Sequence, residues 1–319
     1  MPFDPTSPRR LIGAIARSIE RHALEPSPAA ATSGNPPGRV HARKTVVDGL
    51  KVFYREAGDP LAPAIVLLHG FPSSSHMYRD LIPRLADRFR VIAPDYIGFG
   101  YSDAPTPAEY AYTFDNLATT TRRLLDLIGV DEAIFYMQDY GGPIGLRLAA
   151  ARPERVRGLV FQNANAYKEG VSQAAFDVFM PLWQNGDETA ARQMLLAETT
   201  RYQYFAGARQ AEALNPDAWT HDQALLDRPG NDARQLALFK DYQTNVASYD
   251  AWHGYFRAHQ PKSLVAWGEG DPFFTVEGAE AFKRDLENLE VHYFNTGHFA
   301  LEEDAAPIAA LIKRYFLGA

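Results

Sequence analysis

Asp139 lies in a stretch of sequence that could present its side chain as a nucleophile. The apolar run from Ala133 to Met137 predicts a short strand, and the small residues from Gly141 onward predict the start of a helix. A sharp turn between a strand and a helix exposes the side chain at its centre, and glycines after it let the helix begin close to the strand. A serine there would attack carbonyl carbons. An aspartate that attacks a saturated carbon bearing an oxygen or halogen leaving group forms an ordinary alkyl ester, which favours epoxides or haloalkanes as substrates.

Two further polar residues come directly after predicted strands and complete a candidate catalytic triad. Asp271 follows a strand predicted over 263–267, and His298 follows one predicted over 290–294. We expect His298 to take a proton from water, which then attacks the Asp139 ester carbonyl, while Asp271 fixes the imidazole tautomer and stabilises its charged form. The order nucleophile, acid, histidine, with each residue at a strand end, favours this function over three unrelated turn residues.

Ester hydrolysis passes through an oxyanion, which requires preorganised hydrogen-bond donors. The backbone N–H groups of Phe71, in the loop after another predicted strand, and of Tyr140, directly after the nucleophile, are the expected donors. His69, at the start of that loop, is interpreted as a structural hydrogen-bonding residue. Phe71, Phe161 and Trp183 are the candidate lining of an apolar pocket that takes a small lipophilic substrate, with water as the second substrate.

The elements around these residues alternate between strand and helix, which predicts a doubly wound, mostly parallel eight-stranded sheet. An Asp-Gly turn at Asp48 predicts a hairpin at its start. About a hundred mainly helical residues interrupt the alternation and are interpreted as a cap domain inserted over the site. The predicted boundaries are as follows: an N-terminal extension and linker over 1–38, a core over 39–165 and 257–319, and a helical cap over 166–256.

The chain resembles the α/β-hydrolases that have an aspartate nucleophile and a cap, and it is most similar to the soluble epoxide hydrolases. The similarity runs from about Thr45 to the C-terminus and includes the His-Gly-Phe-Pro loop that begins at His69. It implies the α/β-hydrolase fold, opening of an epoxide to a vicinal diol without a cofactor, and two cap tyrosines that donate protons to the epoxide oxygen. Segments similar to the family's two tyrosine segments point to Tyr202 and Tyr242. Neighbouring tyrosines remain alternatives: Tyr204, Tyr249 and Tyr255.

Haloalkane dehalogenase is the alternative function, because it shares the nucleophile and the triad. That family has a similar Gln-Asp stretch followed by Gly-Gly. It normally has a Trp directly after the nucleophile as one halide donor. Its second donor is either an Asn after His-Gly or a second Trp in the cap. This chain has Tyr140 and Phe71 at the first two places. The remaining candidate halide donors in the cap are Trp183, Trp219 and Trp252. Fluoroacetate dehalogenase and a non-catalytic ligand-binding hydrolase fold are further alternatives. Met137 also departs from the epoxide hydrolase pattern, in which a small residue is usual.

The composition of the chain argues against several other kinds of function and site. The chain has 319 residues, of which 46% are hydrophobic, and a net charge of -7 with no basic stripe, so nucleic-acid binding is not expected. Cysteine is absent, which excludes disulfides and thiolate metal sites, and the histidines show no metal-binding spacing. No apolar run is long enough to span a membrane. We expect a cytoplasmic protein, with export through the N-terminal segment as the alternative, and the sequence leaves the oligomeric state open.

Overall fold

The computed structural model describes residues 38–318. The predicted N-terminal extension lies outside these residues, except for Gly38. In the part of the chain that the structure describes, no helix is long and apolar enough to cross a membrane.

Eight strands form a single sheet. They are β1 (His41–Val47), β2 (Leu50–Ala57), β3 (Ala64–Leu68), β4 (Arg90–Pro94), β5 (Ala133–Gln138), β6 (Val156–Gln162), β7 (Ser263–Gly268) and β8 (Leu289–Phe294). Their spatial order is β1-β2-β4-β3-β5-β6-β7-β8. The β1–β2 and β2–β4 pairs are antiparallel, and all other pairs are parallel. The predicted doubly wound, mostly parallel sheet is therefore confirmed.

Eleven α-helices accompany the sheet within residues 38–318. They are α1 (Ile82–Leu85), α2 (Phe114–Leu127), α3 (Gly141–Ala151), α4 (Gln173–Asn185), α5 (Thr189–Gln193), α6 (Ala197–Phe205), α7 (Asp217–Leu226), α8 (Asn231–Asp241), α9 (Gln243–His259), α10 (Val276–Ala281) and α11 (Leu301–Leu317). Helices α4 to α9 form one block between β6 and β7, which we call the helical insertion. The sequence predicted this block, while the exact domain boundaries stay predictions.

The central strands are apolar because both of their faces are covered. Alternate residues of β3 belong to two different hydrophobic clusters: Val66 packs with residues of α2 and α3, and Ile65 packs with residues of α1 and α11. Every residue of β5 and β7 is buried. Strands covered on both faces consist of nearly continuous apolar runs, which is why the sequence revealed them. Two layers of helices around the sheet thus fix the strand ends that carry the polar residues.

Candidate active site

The sheet brings four polar residues to one edge. Asp139, Asn163, Asp271 and His298 follow β5, β6, β7 and β8, which are consecutive neighbours in the sheet. Since parallel strands end at the same edge, residues that are up to 159 positions apart in sequence become adjacent there.

Asp139 occupies the turn between β5 and α3 with a left-handed backbone, φ 48°. This conformation is uncommon for residues other than glycine and is maintained by the packing around it. Glycines surround the turn for steric reasons. A Cβ on Gly70 would lie 2.3 Å from the Asp139 Cβ, and a Cβ on Gly141 would lie 1.9 Å from the Leu68 carbonyl oxygen. The predicted sharp turn is therefore present, and only glycine allows the chain to pass so close to it.

The Asp139 carboxylate is held by the two predicted oxyanion donors. The Phe71 N–H donates to Oδ1 at 2.8 Å, and the Tyr140 N–H also hydrogen-bonds the carboxylate. Burial raises the pKa of Asp139, while the His298 ring and these two N–H groups oppose that rise by favouring the ionised form. With Oδ1 held by the Phe71 N–H, Oδ2 is the oxygen that lies 4.0 Å from His298 Nε2. This arrangement leaves Oδ2 as the attacking atom.

His298 is oriented by Asp271. The ring donates from Nδ1 to Asp271 Oδ2 at 2.7 Å, and the second Asp271 oxygen accepts the N–H groups of Phe273 and Phe274 at 2.7 and 3.1 Å. Burial by itself lowers the pKa of His298, but the charge and hydrogen bond of Asp271 and the charge of Asp139 outweigh it, so that this pKa is raised. The ring therefore holds a proton more tightly while Asp139 is ionised.

Asn163 joins these elements, and the sequence reasoning missed it. Its Nδ2 donates to Asp271 Oδ2 at 2.8 Å and to the Gly268 carbonyl at 3.1 Å, while its Oδ1 accepts the Gly268 N–H at 2.9 Å. Its own carbonyl accepts the Asp139 N–H at 3.1 Å. The left-handed backbone of Asn163, φ 45°, suits asparagine better than most residues. A polar residue directly after β6, as after β5, β7 and β8, was the signal available in the sequence.

Gln138 is a second residue that the sequence reasoning did not select. It precedes the nucleophile, is fully buried, and places its Nε2 at 2.9 Å from His298 Nε2. Because Nδ1 of the ring donates to Asp271, Nε2 of a neutral ring is free to accept this amide N–H. The Gln138 Oε1 is buried and has no hydrogen-bond partner among the residues that the structure describes.

A cavity of about 50 Å³ borders Asp139. Its wall combines residues of the core with residues of the helical insertion and is mostly aromatic or aliphatic. The lining residues are Phe71, Asp139, Tyr140, Val171, Ala175, Phe176, Phe179, Trp183, Met194, Gln203, Phe239, Tyr242, Phe273, Phe274 and His298. A cavity of this size has room for a few water-sized groups.

Of the two predicted cap tyrosines, the structure brings only Tyr242 to the cavity. Tyr242 lies between α8 and α9, and its ring stacks on Trp183 with a centroid distance of 6.3 Å. Burial chiefly, together with the Tyr249 hydroxyl and the Asp139 charge, raises the pKa of Tyr242 well above its usual value. Tyr242 therefore stays protonated, and its hydroxyl, which hydrogen-bonds the Tyr249 side chain, is the phenolic group of the cavity wall.

Tyr202 and Phe161 lie elsewhere, contrary to the predictions for them. Tyr202 is 53% exposed on α6, whereas the next residue, Gln203, is 3% exposed and lines the cavity. One residue turns the side chain by about 100° around a helix, so that a displacement of one position moves it off the buried face. Phe161 is fully buried on β6 and packs against Phe282 at 4.2 Å, in the core rather than in the cavity wall.

The predicted halide donors do not offer an indole N–H to this cavity. Trp183 lines it, but its Nε1 donates to the Phe239 carbonyl at 2.8 Å. Trp219 and Trp252 are absent from the cavity wall as the described residues form it.

His69 has the structural position expected of it: burial lowers its pKa to about 3, and its neutral ring accepts the Tyr96 N–H at 3.3 Å.

Comparison with known proteins agrees with this geometry. The family model described as alpha/beta hydrolase fold matches residues 63–305. The chain belongs to the α/β-hydrolase family. An uncharacterized hydrolase of Saccharomyces cerevisiae is 43% identical over 277 residues, which cover 85% of this chain and 95% of that protein. A haloalkane dehalogenase of Mycobacterium marinum is 35% identical over 272 residues, covering 84% of this chain and 89% of its own.

Among solved structures, the epoxide hydrolase CorEH superposes with a TM-score of 0.71 at 20% identity, covering 88% of this α/β-hydrolase and 99% of that chain. At this identity the similarity concerns the fold alone. The comparisons therefore identify this chain as an α/β-hydrolase that is similar to haloalkane dehalogenases and, in fold, to an epoxide hydrolase.

Groups of three or more side chains able to hold a metal ion are absent from residues 38–318.

Proposed function

We propose that this α/β-hydrolase opens an epoxide to a vicinal diol through a covalent ester on Asp139. The observation that carries the proposal is the type of hydrogen-bond donor in the cavity. Tyr242 contributes a phenolic hydroxyl, and no indole N–H from the described residues is free there. A leaving oxygen needs a donor that can give up a proton, whereas a halide needs only N–H donors. The wall therefore suits an oxygen leaving group.

In the first step, Asp139 Oδ2 attacks a ring carbon of the epoxide and the carbon–oxygen bond breaks. The departing oxygen takes its electron pair and accepts the Tyr242 proton, because an alkoxide is more basic than a phenolate in the same surroundings. The product is a hydroxyalkyl ester of Asp139. Its carbonyl oxygen is Oδ1, which already lies 2.8 Å from the Phe71 nitrogen.

Ester formation changes the charge that His298 experiences. The Asp139 carboxylate is one of the groups that raise the pKa of His298, and the ester is neutral. The pKa of His298 therefore falls when the ester forms, which favours the neutral ring, the form that can accept a proton from water at this stage. Nε2 then takes a proton from water, and the hydroxide attacks the ester carbon. The Phe71 and Tyr140 N–H groups stabilise the resulting oxyanion. Its collapse expels the second diol oxygen, which takes the proton held by His298. The carboxylic acid left on Asp139 gives its proton back to the Tyr242 phenolate, so that the diol is released and both the carboxylate and the phenol are regenerated.

A His298→Gln variant tests this mechanism, because it is expected to form the ester without hydrolysing it. The variant is incubated with a short-chain terminal epoxide and a bromoalkane of different mass in one tube, and the peptide containing Asp139 is weighed. We expect a gain equal to the whole epoxide. The double variant with Asp139→Asn is the control and should gain nothing. The absence of an epoxide adduct on Asp139 would overturn the proposal.

Haloalkane dehalogenation is the second candidate function. The 35% identity to the haloalkane dehalogenase of Mycobacterium marinum favours it, as do the shared nucleophile and triad. In the same experiment it predicts a gain of the alkyl group alone, with release of bromide. A non-catalytic binder predicts no adduct of either kind, although the His298–Asp271 hydrogen bond at 2.7 Å and its alignment with Asp139 argue against that function.

A further inference from the structure

Gln203 is a buried residue of the cavity wall whose amide nitrogen has no hydrogen-bond partner within residues 38–318. It lies on α6 of the helical insertion, is 3% exposed, and lines the cavity that contains Asp139 and His298. Its Nε2 has no partner among the residues that the structure describes. A buried amide group without a partner costs about 1–3 kcal/mol. Such a group indicates a polar atom that the cavity is built to receive.

The other polar groups of the wall are already engaged. The Asp139 carboxylate accepts two backbone N–H groups, His298 is bound by Asp271 and Gln138, and Trp183 donates to a carbonyl. The rest of the wall is mostly apolar. Gln203 is thus the amide that a ligand would satisfy.

The small cavity limits which atom of the ligand this can be. Asp139 and Gln203 line the same cavity, so a ligand whose carbon contacts Asp139 occupies the space that Gln203 borders. A short-chain epoxide that fits has one heteroatom, the ring oxygen. We propose that the Gln203 side-chain amide is a second hydrogen-bond donor to the leaving oxygen, acting beside the Tyr242 hydroxyl. This inference rests on the proposed epoxide hydrolysis.

The two donors have different chemical roles. An amide N–H does not transfer its proton, so Gln203 stabilises the negative charge that develops on the oxygen, while Tyr242 supplies the proton. A donor of the Gln203 kind serves a bromide leaving atom equally well, because it acts by hydrogen bonding alone. Loss of Gln203 should therefore slow displacement of either leaving atom, and loss of the Tyr242 hydroxyl should slow displacement of oxygen selectively.

The test uses the His298→Gln protein, in which ester formation is measured as a single turnover by mass. Adding Gln203→Met keeps the length and burial of the side chain and removes the amide. We expect ester formation from the epoxide to slow by about ten- to a hundredfold, the effect of losing one hydrogen bond to a developing charge. In the protein that retains His298, Gln203→Met should leave the rate of ester hydrolysis unchanged. A variant that had lost its fold would not keep this rate.

Thr200→Val is the matched control. Thr200 lies on the same helix, and its buried hydroxyl also lacks a partner among residues 38–318, but it does not line the cavity. Ester formation in this variant should match that of the His298→Gln parent. Equal rates for Gln203→Met and the parent would overturn the role of Gln203 and leave the proposed function intact. Failure of the parent itself to form an epoxide ester would overturn both.

Discussion

Asn163→Ala should destabilise the protein strongly, because three hydrogen bonds converge on that side chain. Two join it to the Gly268 backbone, and one joins it to the Asp271 carboxylate. At about 0.5–1.5 kcal/mol for each bond to a neutral group and about 1.5–3 kcal/mol for the bond to a charged one, their loss lowers the free energy of unfolding by about 3–6 kcal/mol. The left-handed backbone adds about 1 kcal/mol, since alanine tolerates φ 45° poorly.

Asn163→Gly separates these two contributions. Glycine loses the same three hydrogen bonds but accepts the left-handed conformation, so it should be about 1 kcal/mol more stable than the alanine variant. Chemical denaturation of the wild-type protein and both variants measures the differences. An alanine variant that is as stable as the wild-type protein would refute the reasoning about these hydrogen bonds.

The same substitution should also act on one chemical step. Without Asn163, Asp271 keeps the Phe273 and Phe274 N–H groups on Oδ1, but Oδ2, which holds His298, loses its amide donor. In the proposed mechanism, ester hydrolysis depends on His298 and ester formation does not. The ester should therefore accumulate during turnover, as rapid-quench mass measurement can detect.

Asn231→Ala is the control for this effect. Asn231 is also buried and bonds two backbone carbonyls, but it lies on α8 outside the cavity wall. Its substitution should lower stability and leave the ratio of the two steps unchanged. If both variants accumulated ester to the same extent, the effect would belong to destabilisation in general rather than to the link between Asn163 and Asp271.

Three further predictions concern the packing and the charges around Asp139. Gly145→Ala should lower the free energy of unfolding by about 1–3 kcal/mol, measured by chemical denaturation, because the new Cβ would lie 2.4 Å from the buried Met137 sulfur; unchanged stability would contradict this packing. Asp139→Asn should lower the pKa of His298, as measured by NMR titration, because it removes a carboxylate 4.0 Å from Nε2 that favours the charged ring. A His298 pKa equal to that of the wild-type protein would show that the Asp139 charge does not affect the ring. Tyr242→Phe should slow ester formation from an epoxide by about a hundredfold or more and change the reaction of a bromoalkane little, as single-turnover mass measurements compare; equal slowing of both would remove the acid role.

The sheet and the residues at its edge could be predicted because their signals are local. Strands buried on both faces, such as β5 and β7, appear as apolar runs, and Asp139 and Asp271 follow their ends. His298 follows the end of β8, a strand that is only partly buried. Once the order of the parallel strands is assumed, their meeting follows from topology. Asn163 follows the same rule after β6 and could have been selected by it.

The insertion could be predicted as helical but not residue by residue. Tyr202 and Gln203 differ by one position on a helix that packs on several sides, and aromatic residues are frequent throughout the insertion, so the sequence does not reveal which face meets the cavity. The prediction that Phe161 lines the cavity was wrong for a related reason. All residues from 158 to 162 of β6 are buried, and an apolar run gives no sign of which side chains face a cavity and which face the core.

The contact between Gln138 and His298 makes the orientation of one amide depend on the proton in the ring. A neutral ring accepts the Gln138 N–H at Nε2, 2.9 Å away, whereas a protonated ring carries an N–H there and requires an oxygen opposite it. Turning the amide over would present its Oε1, which has no partner within the described residues, to that N–H. We therefore expect the side-chain NH₂ signal of Gln138 to act as an internal spectroscopic reporter of the charge on His298.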